Sequence, residues 1–207
     1  MPATQRVRTA PRKKAIQPRA VATVEAILTA TARILVREGY DHASTNRIAE
    51  AAGVSIGSLY QYFPSKEALV AALMERHIEE MSEVLHREMA LVIDAPLPRA
   101  IEHVVHAMLA AHAVNPKLHK VFVEQVPRVG RLERIKDIEV RALALARTFL
   151  EYRRPELREG LDLDLASFIV VATVESLTHA AVLYRPDLLA DQRMVHEVRD
   201  LVLRYLT

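Results

Sequence analysis

Residues 44–69 read STNRIAEAAGVSIGSLYQYFPSKEAL, and the fold turns on how this stretch is read. Ser44 or Thr45 caps a helix and leaves a hydroxyl beside its electropositive end. Ile48, Ala49 and Ala52 give that helix a buried face, and the two alanines let a second helix approach closely. Gly53 takes the left-handed conformation that a tight turn needs, and Val54 plugs the angle between the helices. Ser55 caps the second helix. Leu59 and Phe63 face inward, and Pro64 stops it. Around its start and outer surface remain Ser55, Ile56, Gly57, Ser58, Tyr60, Gln61 and Tyr62. Glycine inside a helix costs about 0.5–1 kcal/mol relative to alanine, so Gly57 calls for a reason. Close approach to another molecule is one, and two outward tyrosines call for a partner as well. A helix of this kind fits a DNA major groove.

Upstream, Ala26, Ile27, Ala30, Ile34 and Leu35 recur at helical spacing and end at Gly39, a C-cap signal. Downstream, a long helix begins near Ser65 and carries Leu73, Met74, Ile78, Met81, Leu85 and Met89 on one stripe. Ile101, Val104, Val105, Met108 and Leu109 mark another helix. Asn115-Pro116 opens a short one with Leu118, Val121 and Phe122. Further helices are expected near 131–153, 162–184 and 191–206. No strand pattern or internal repeat is visible. The fold class is therefore all-α, with about nine helices.

The run T-x-x-I-A-x-x-A-G-V-S-x-G-S-L-Y-x-Y-F-x-S-K-E-x-L, Thr45 to Leu69, resembles the DNA-binding signature of TetR-family regulators. The preceding helix with Gly39-Tyr40 is similar to the family too, so about 50 residues carry the likeness. The rest is similar only in length and helix pattern. The resemblance implies a three-helix helix-turn-helix domain joined to a helical bundle that binds ligand and dimerises. It implies phosphate contacts for Thr45, Ser58, Tyr62 and Lys66, and places Ser55, Ile56, Gly57 and Tyr60 nearest the bases. Gln61 is a candidate for either role. Residues 1–19 are expected to form a flexible basic arm, 20–66 the DNA-binding domain and 67–207 the sensing and dimerisation domain.

Charge agrees with a polyanionic partner. The net +2 hides six basic and no acidic side chains in residues 1–20. Residues 21–207 hold 22 basic against 26 acidic residues, net −4. Arg12, Lys13, Lys14 and Arg19 are candidates for added phosphate or minor-groove contacts. No cysteine is present, which excludes disulfides, thiolate zinc sites and thiol nucleophiles, and fits a cytoplasmic location. The five glycines form no phosphate loop and no nucleophile elbow, so an enzyme is not expected. Residues 1–20 contain no apolar stretch of a secretory signal. The apolar run 165–184 contains Glu175 and His179, which favours a buried helix over a membrane span.

That same helix, near 162–184, is apolar almost all round, which implies burial on more than one side. With 191–206 it is expected to form the interface of a homodimer, as the resemblance also implies. In the family the effector site lies between the fourth and eighth helices. The candidates there are Met81, Met108, Phe122, Gln125, Phe149, Ile169 and Thr173, and a mostly apolar lining suits a hydrophobic compound. Glu175 and His179, four apart on one helix face, serve either ligand or interface. His103 and His106, and more loosely His112 and His119, have metal-ligand chemistry, but further ligands cannot be named. No metal or cofactor is expected.

Overall fold

The computed structural model of the chain describes residues 17–89, 95–126 and 132–207. Arg12, Lys13 and Lys14 lie outside them, while Arg19 stands in the first turn of the first helix. The described residues contain nine α-helices and no strand. These are α1 (Pro18–His42), α2 (Thr45–Ala51), α3 (Ile56–Tyr62), α4 (Lys66–Met89), α5 (Leu97–His112), α6 (Pro116–Glu124), α7 (Leu132–Tyr152), α8 (Leu163–Tyr184) and α9 (Gln192–Leu206). The all-α architecture with an N-terminal helix-turn-helix is as the sequence pattern predicts.

The punctuation is chemical. Proline stands in the first turn of α1, where its missing N–H is no loss. Asp162 caps α8 by accepting from the Asp164 and Leu165 N–H groups at 3.0 and 3.1 Å. Asp191 does the same for α9 through Arg193 N–H at 2.9 Å. Ser65 accepts from Ala68 N–H at 3.2 Å and so opens α4.

The chain forms two compact units. Among the described residues, the first comprises 17–78, 117–126 and Leu132, the second 79–89, 95–116 and 133–207. This differs from a simple division after residue 66, because the compact first unit includes the opening of α4 and all but the first residue of α6. The core of the first unit joins Ile27, Ile34 and Leu35 of α1 to Ile48, Leu59, Phe63, Leu69 and Leu73. Leu118, Val121 and Phe122 of α6 complete it. At roughly 1.5–3 kcal/mol for each fully buried large side chain, this core needs no disulfide to hold it. The second unit packs Leu97, Ile101, Val105 and Leu109 of α5 with Leu163, Val174 and Val182 of α8 and Val195, Val198 and Val202 of α9.

Candidate nucleic-acid interface

The site is built by two short helices and the turn between them. Ser44 is the residue that caps α2, accepting weakly from Arg47 N–H at 3.4 Å. Thr45 is the first helical residue, and its hydroxyl lies 3.0 Å from the Tyr60 hydroxyl. The turn after α2 closes with two bonds of the Schellman type: Val54 N–H to the Ala49 carbonyl at 3.0 Å and Gly53 N–H to the Glu50 carbonyl at 3.1 Å. Gly53 sits at φ +68°, which a residue with a Cβ reaches only under strain. Val54 then packs partly buried against the core. Ser55 caps α3, its Oγ accepting from Ser58 N–H at 3.1 Å and lying 2.8 Å from Ser58 Oγ.

With Leu59 and Phe63 buried, the other side of α3 faces outward. Ser55, Gly57 and Gln61 are exposed, and so are Ile56 and Tyr60 at 38% and 41%. Thr45, Ser58, Tyr62 and Lys66 are half-buried, and Tyr62 also packs against the first core. These nine predicted positions therefore lie on two helices and the start of a third. A Cβ added to Gly57 would meet only Ser55 Oγ, at 3.8 Å. Among the described residues, nothing requires glycine there.

The two cations near the motif are engaged within the protein. Arg47 forms an ion pair with Glu38 at 2.6 Å. Lys66 Nζ donates to the Tyr40 carbonyl at 2.9 Å and lies 4.1 Å from the centre of the Tyr40 ring. Lys66 thus ties the start of α4 to the end of α1. Tyr40 is a junction. Its phenol is pushed above the usual value by burial first and then by Glu67, whose carboxylate accepts its hydroxyl at 3.4 Å. Its N–H donates to Gln125 Oε1 at 3.0 Å. Gly39 just before it breaks the helix at φ +80°, ψ 172°, where a Cβ would stand 2.7 Å from the same Gln125 oxygen.

Two of the predicted effector residues, Gln125 and Phe122, lie in the first unit. Gln125 serves the helix break, and Phe122 is a core residue of the first unit, with its ring 5.6 Å from that of His77. His77 is buried, and that burial first, with Arg76 adding to it, lowers its pKa to about 4. The other predicted effector residues belong to the second unit. Met81, Met108, Phe149, Ile169, Thr173, Glu175 and His179 are all half-buried there. Met108 and Phe149 pack against its core. A surface hollow of about 390 Å³ in this unit is lined by His106, Ala110, Val114, Leu189 and Gln192, none of them among the predicted effector residues.

Helix α8 does not behave as its composition predicts. Only 33% of its most apolar stretch is buried, and Leu165 and Phe168 are exposed at 55% and 58%. By length and composition alone it could cross a membrane.

Residues 27–73 match the family "Bacterial regulatory proteins, tetR family". Residues 96–206 match "Tetracyclin repressor-like, C-terminal domain". The chain is 23% identical over 151 residues to the fatty acid metabolism regulator protein of Bacillus subtilis, covering 72% of this chain and 78% of that one. It is 35% identical over 92 residues to the HTH-type transcriptional repressor KstR of Mycolicibacterium smegmatis; the match covers 44% of each, so the chain spans under half of that relative. Its fold is similar to that of the fatty acid degradation regulator FadR from Bacillus halodurans, with TM-score 0.68, 24% identity and coverage of 92% and 96%.

Proposed function

Given that this chain belongs to the tetR family of bacterial regulatory proteins, we propose that it is a ligand-responsive repressor that binds palindromic operator DNA as a homodimer and is released by a small hydrophobic effector. The family and the relatives are regulators of transcription, not enzymes. The observation that carries the DNA assignment is the outer face of α3, above all Gly57. A glycine that costs helix stability and fills no internal need is explained by a backbone that must come close to bases. Ser55, Ile56, Gly57 and Tyr60 then lie nearest the bases, with Gln61 beside them. Thr45, Ser58, Tyr62 and Lys66 approach phosphates. Because Arg47 and Lys66 are already engaged, helix-end dipoles, hydroxyls and the basic segment 1–19 supply much of the grip.

Dimerisation through 162–184 and 191–206 is supported by the apolar groups left exposed on both helices, Leu165, Phe168, Tyr184 and Leu201. A second copy would cover them, which accounts for α8 better than a membrane does. In the dimer the two recognition helices meet successive major grooves, about 34 Å apart. The effector acts in the second unit, with Met81, Met108, Phe149, Ile169, Thr173, Glu175 and His179 as candidates. The similarity to regulators of fatty acid metabolism supports an acyl compound as the first to try. Helix α4 runs from one compact unit into the other, so its displacement would act on the Lys66–Tyr40 bond. An effector that favours the released state by about 1–3 kcal/mol makes a useful switch. The protein would act in the cytoplasm, where the operator is.

Footprinting on the DNA upstream of its own coding sequence, repeated with acyl and other apolar compounds, tests both halves of this function. Protection of a palindrome that one compound abolishes is the expected result. In the same assay Tyr60→Ala reduces the ratio of specific to random binding. Lys66→Ala weakens both alike. A normal ratio in the Tyr60 variant overturns its place near the bases, and protection indifferent to every compound leaves a DNA-binding protein without an effector.

A further inference from the structure

Helices α5 and α8 of the second unit carry a histidine pair whose geometry goes beyond packing. His112, the last residue of α5, is 4% exposed. Its Nδ1 lies 2.8 Å from the Met108 carbonyl oxygen. A carbonyl can only accept, so Nδ1 carries the proton and Nε2 keeps the lone pair. Metal-binding histidines are commonly prepared in this way, with the second ring nitrogen anchored on a backbone carbonyl and the first left to coordinate.

His179 of α8 meets this ring edge-on, with centroids 5.1 Å apart and planes at 70°. With metal–nitrogen bonds of about 2.0–2.1 Å and roughly 1.1 Å from a ring nitrogen to the centroid, two imidazoles at the tetrahedral angle have centroids about 5 Å apart. The observed spacing matches the one that a shared ion would set, although ordinary edge-to-face packing of two rings covers the same range. Glu175 shares the His179 face one turn earlier, so a cation here has a carboxylate close by in the sequence of the helix. We propose that His112 and His179 are protein ligands of a divalent transition-metal ion of the borderline class, Zn²⁺, Ni²⁺ or Cu²⁺, with water completing its shell. Neutral imidazole suits these ions, whereas Mg²⁺ and Ca²⁺ demand oxygen. This site does not depend on whether the chain binds DNA.

The test uses the full chain, stripped with a chelator and titrated calorimetrically with ZnCl₂, then with CoCl₂ while its visible absorption is followed. The expected result is one equivalent bound per chain, with a cobalt spectrum of nitrogen coordination. His112→Gln and His179→Gln each weaken binding by about tenfold or more, the scale expected where a site loses a supporting group. His86→Gln, on an exposed position of α4, leaves it unchanged. Circular dichroism checks that the variants are folded. Should the buried His112 variant not fold, His179→Gln decides alone. Absence of stoichiometric binding, or binding untouched by the His179 substitution, overturns the proposal.

Discussion

Helices α3 and α8 each present a face that the described residues leave uncovered, and the two faces are of opposite kind. On α3 the inward side is complete within nine residues, 55–63: a serine cap, Leu59 fully buried, and Phe63 following it into the core. Its outward side is polar apart from Ile56 and Tyr60, and it contains a glycine whose added Cβ would meet only Ser55 Oγ, at an ordinary contact distance of 3.8 Å. Helix α8 has 22 residues, is apolar on nearly every side, and leaves Leu165 and Phe168 in solvent. Hydrophobic burial would drive an encounter at α8 and hardly at all at α3. The partner proposed for α3 would be read by hydrogen bonds and backbone approach. The partner proposed for α8 would remove apolar surface from water.

The largest effect should come from breaking the α8 side. Leu165→Glu combined with Phe168→Glu changes exposed positions, so single-chain stability should move by roughly 0.5–1 kcal/mol at most. Two carboxylates forced into an apolar interface should weaken association by about 100-fold or more. Sedimentation of the variant at micromolar concentration is expected to show monomer where the parent shows dimer. A dimer of undiminished affinity would mean that this face is merely solvated, and the contrast with α3 would fall.

The interior of the first unit, where His77 of α4 meets Phe122 of α6, can be tested by pH. Burial holds the folded pKa of His77 near 4, below its ordinary 6.5. Between those values the unfolded chain binds a proton that the native chain refuses. Stability from this group is therefore complete above about pH 6.5 and is lost as the pH falls through about 4, on the order of 3 kcal/mol in all. Thermal melting from pH 7 to pH 4 should show the decline, and His77→Gln should flatten it. An equally steep decline in the variant would place its cause in other groups.

Much of the helix-turn-helix was legible because its signals are local. Gly53, the two serine caps and the small alanines act within a few residues of themselves, and the structure uses them as the pattern predicts. Long-range pairings were not legible. Leu118, Val121 and Phe122 announce an amphipathic helix but not which unit it completes. Gln125 lies 85 residues from the N–H that it accepts, and no spacing rule reaches so far. The same limit applies to α8, whose composition predicts burial without saying whether the cover comes from its own chain. Gly39→Ala makes the long-range contact measurable. A positive φ and a Cβ 2.7 Å from Gln125 Oε1 should together cost about 1–3 kcal/mol. Gln125→Ala should cost about 1 kcal/mol by leaving the Tyr40 N–H without its partner. The two should not add, because removing Gln125 also removes the clash. Additive costs in denaturant unfolding would show that the strain at Gly39 is its own.

The smallest change in stability gives the sharpest view of α3. At Gly57 the backbone is free of the positive-φ constraint, and a methyl group would make only an ordinary contact, 3.8 Å from Ser55 Oγ. Alanine there should stabilise the folded chain by about 0.5–1 kcal/mol, raising the melting temperature by a few degrees at most. A residue kept for folding would not lower stability in this way. If the glycine serves close approach to DNA, the same alanine should weaken specific operator binding by about tenfold while the protein becomes more stable. Opposite signs in melting and in fluorescence anisotropy with labelled operator would place the reason for Gly57 outside the chain. A gain in stability with unchanged affinity would instead leave α3 with an outer face as indifferent as any solvated helix, and its difference from α8 would then be one of composition only.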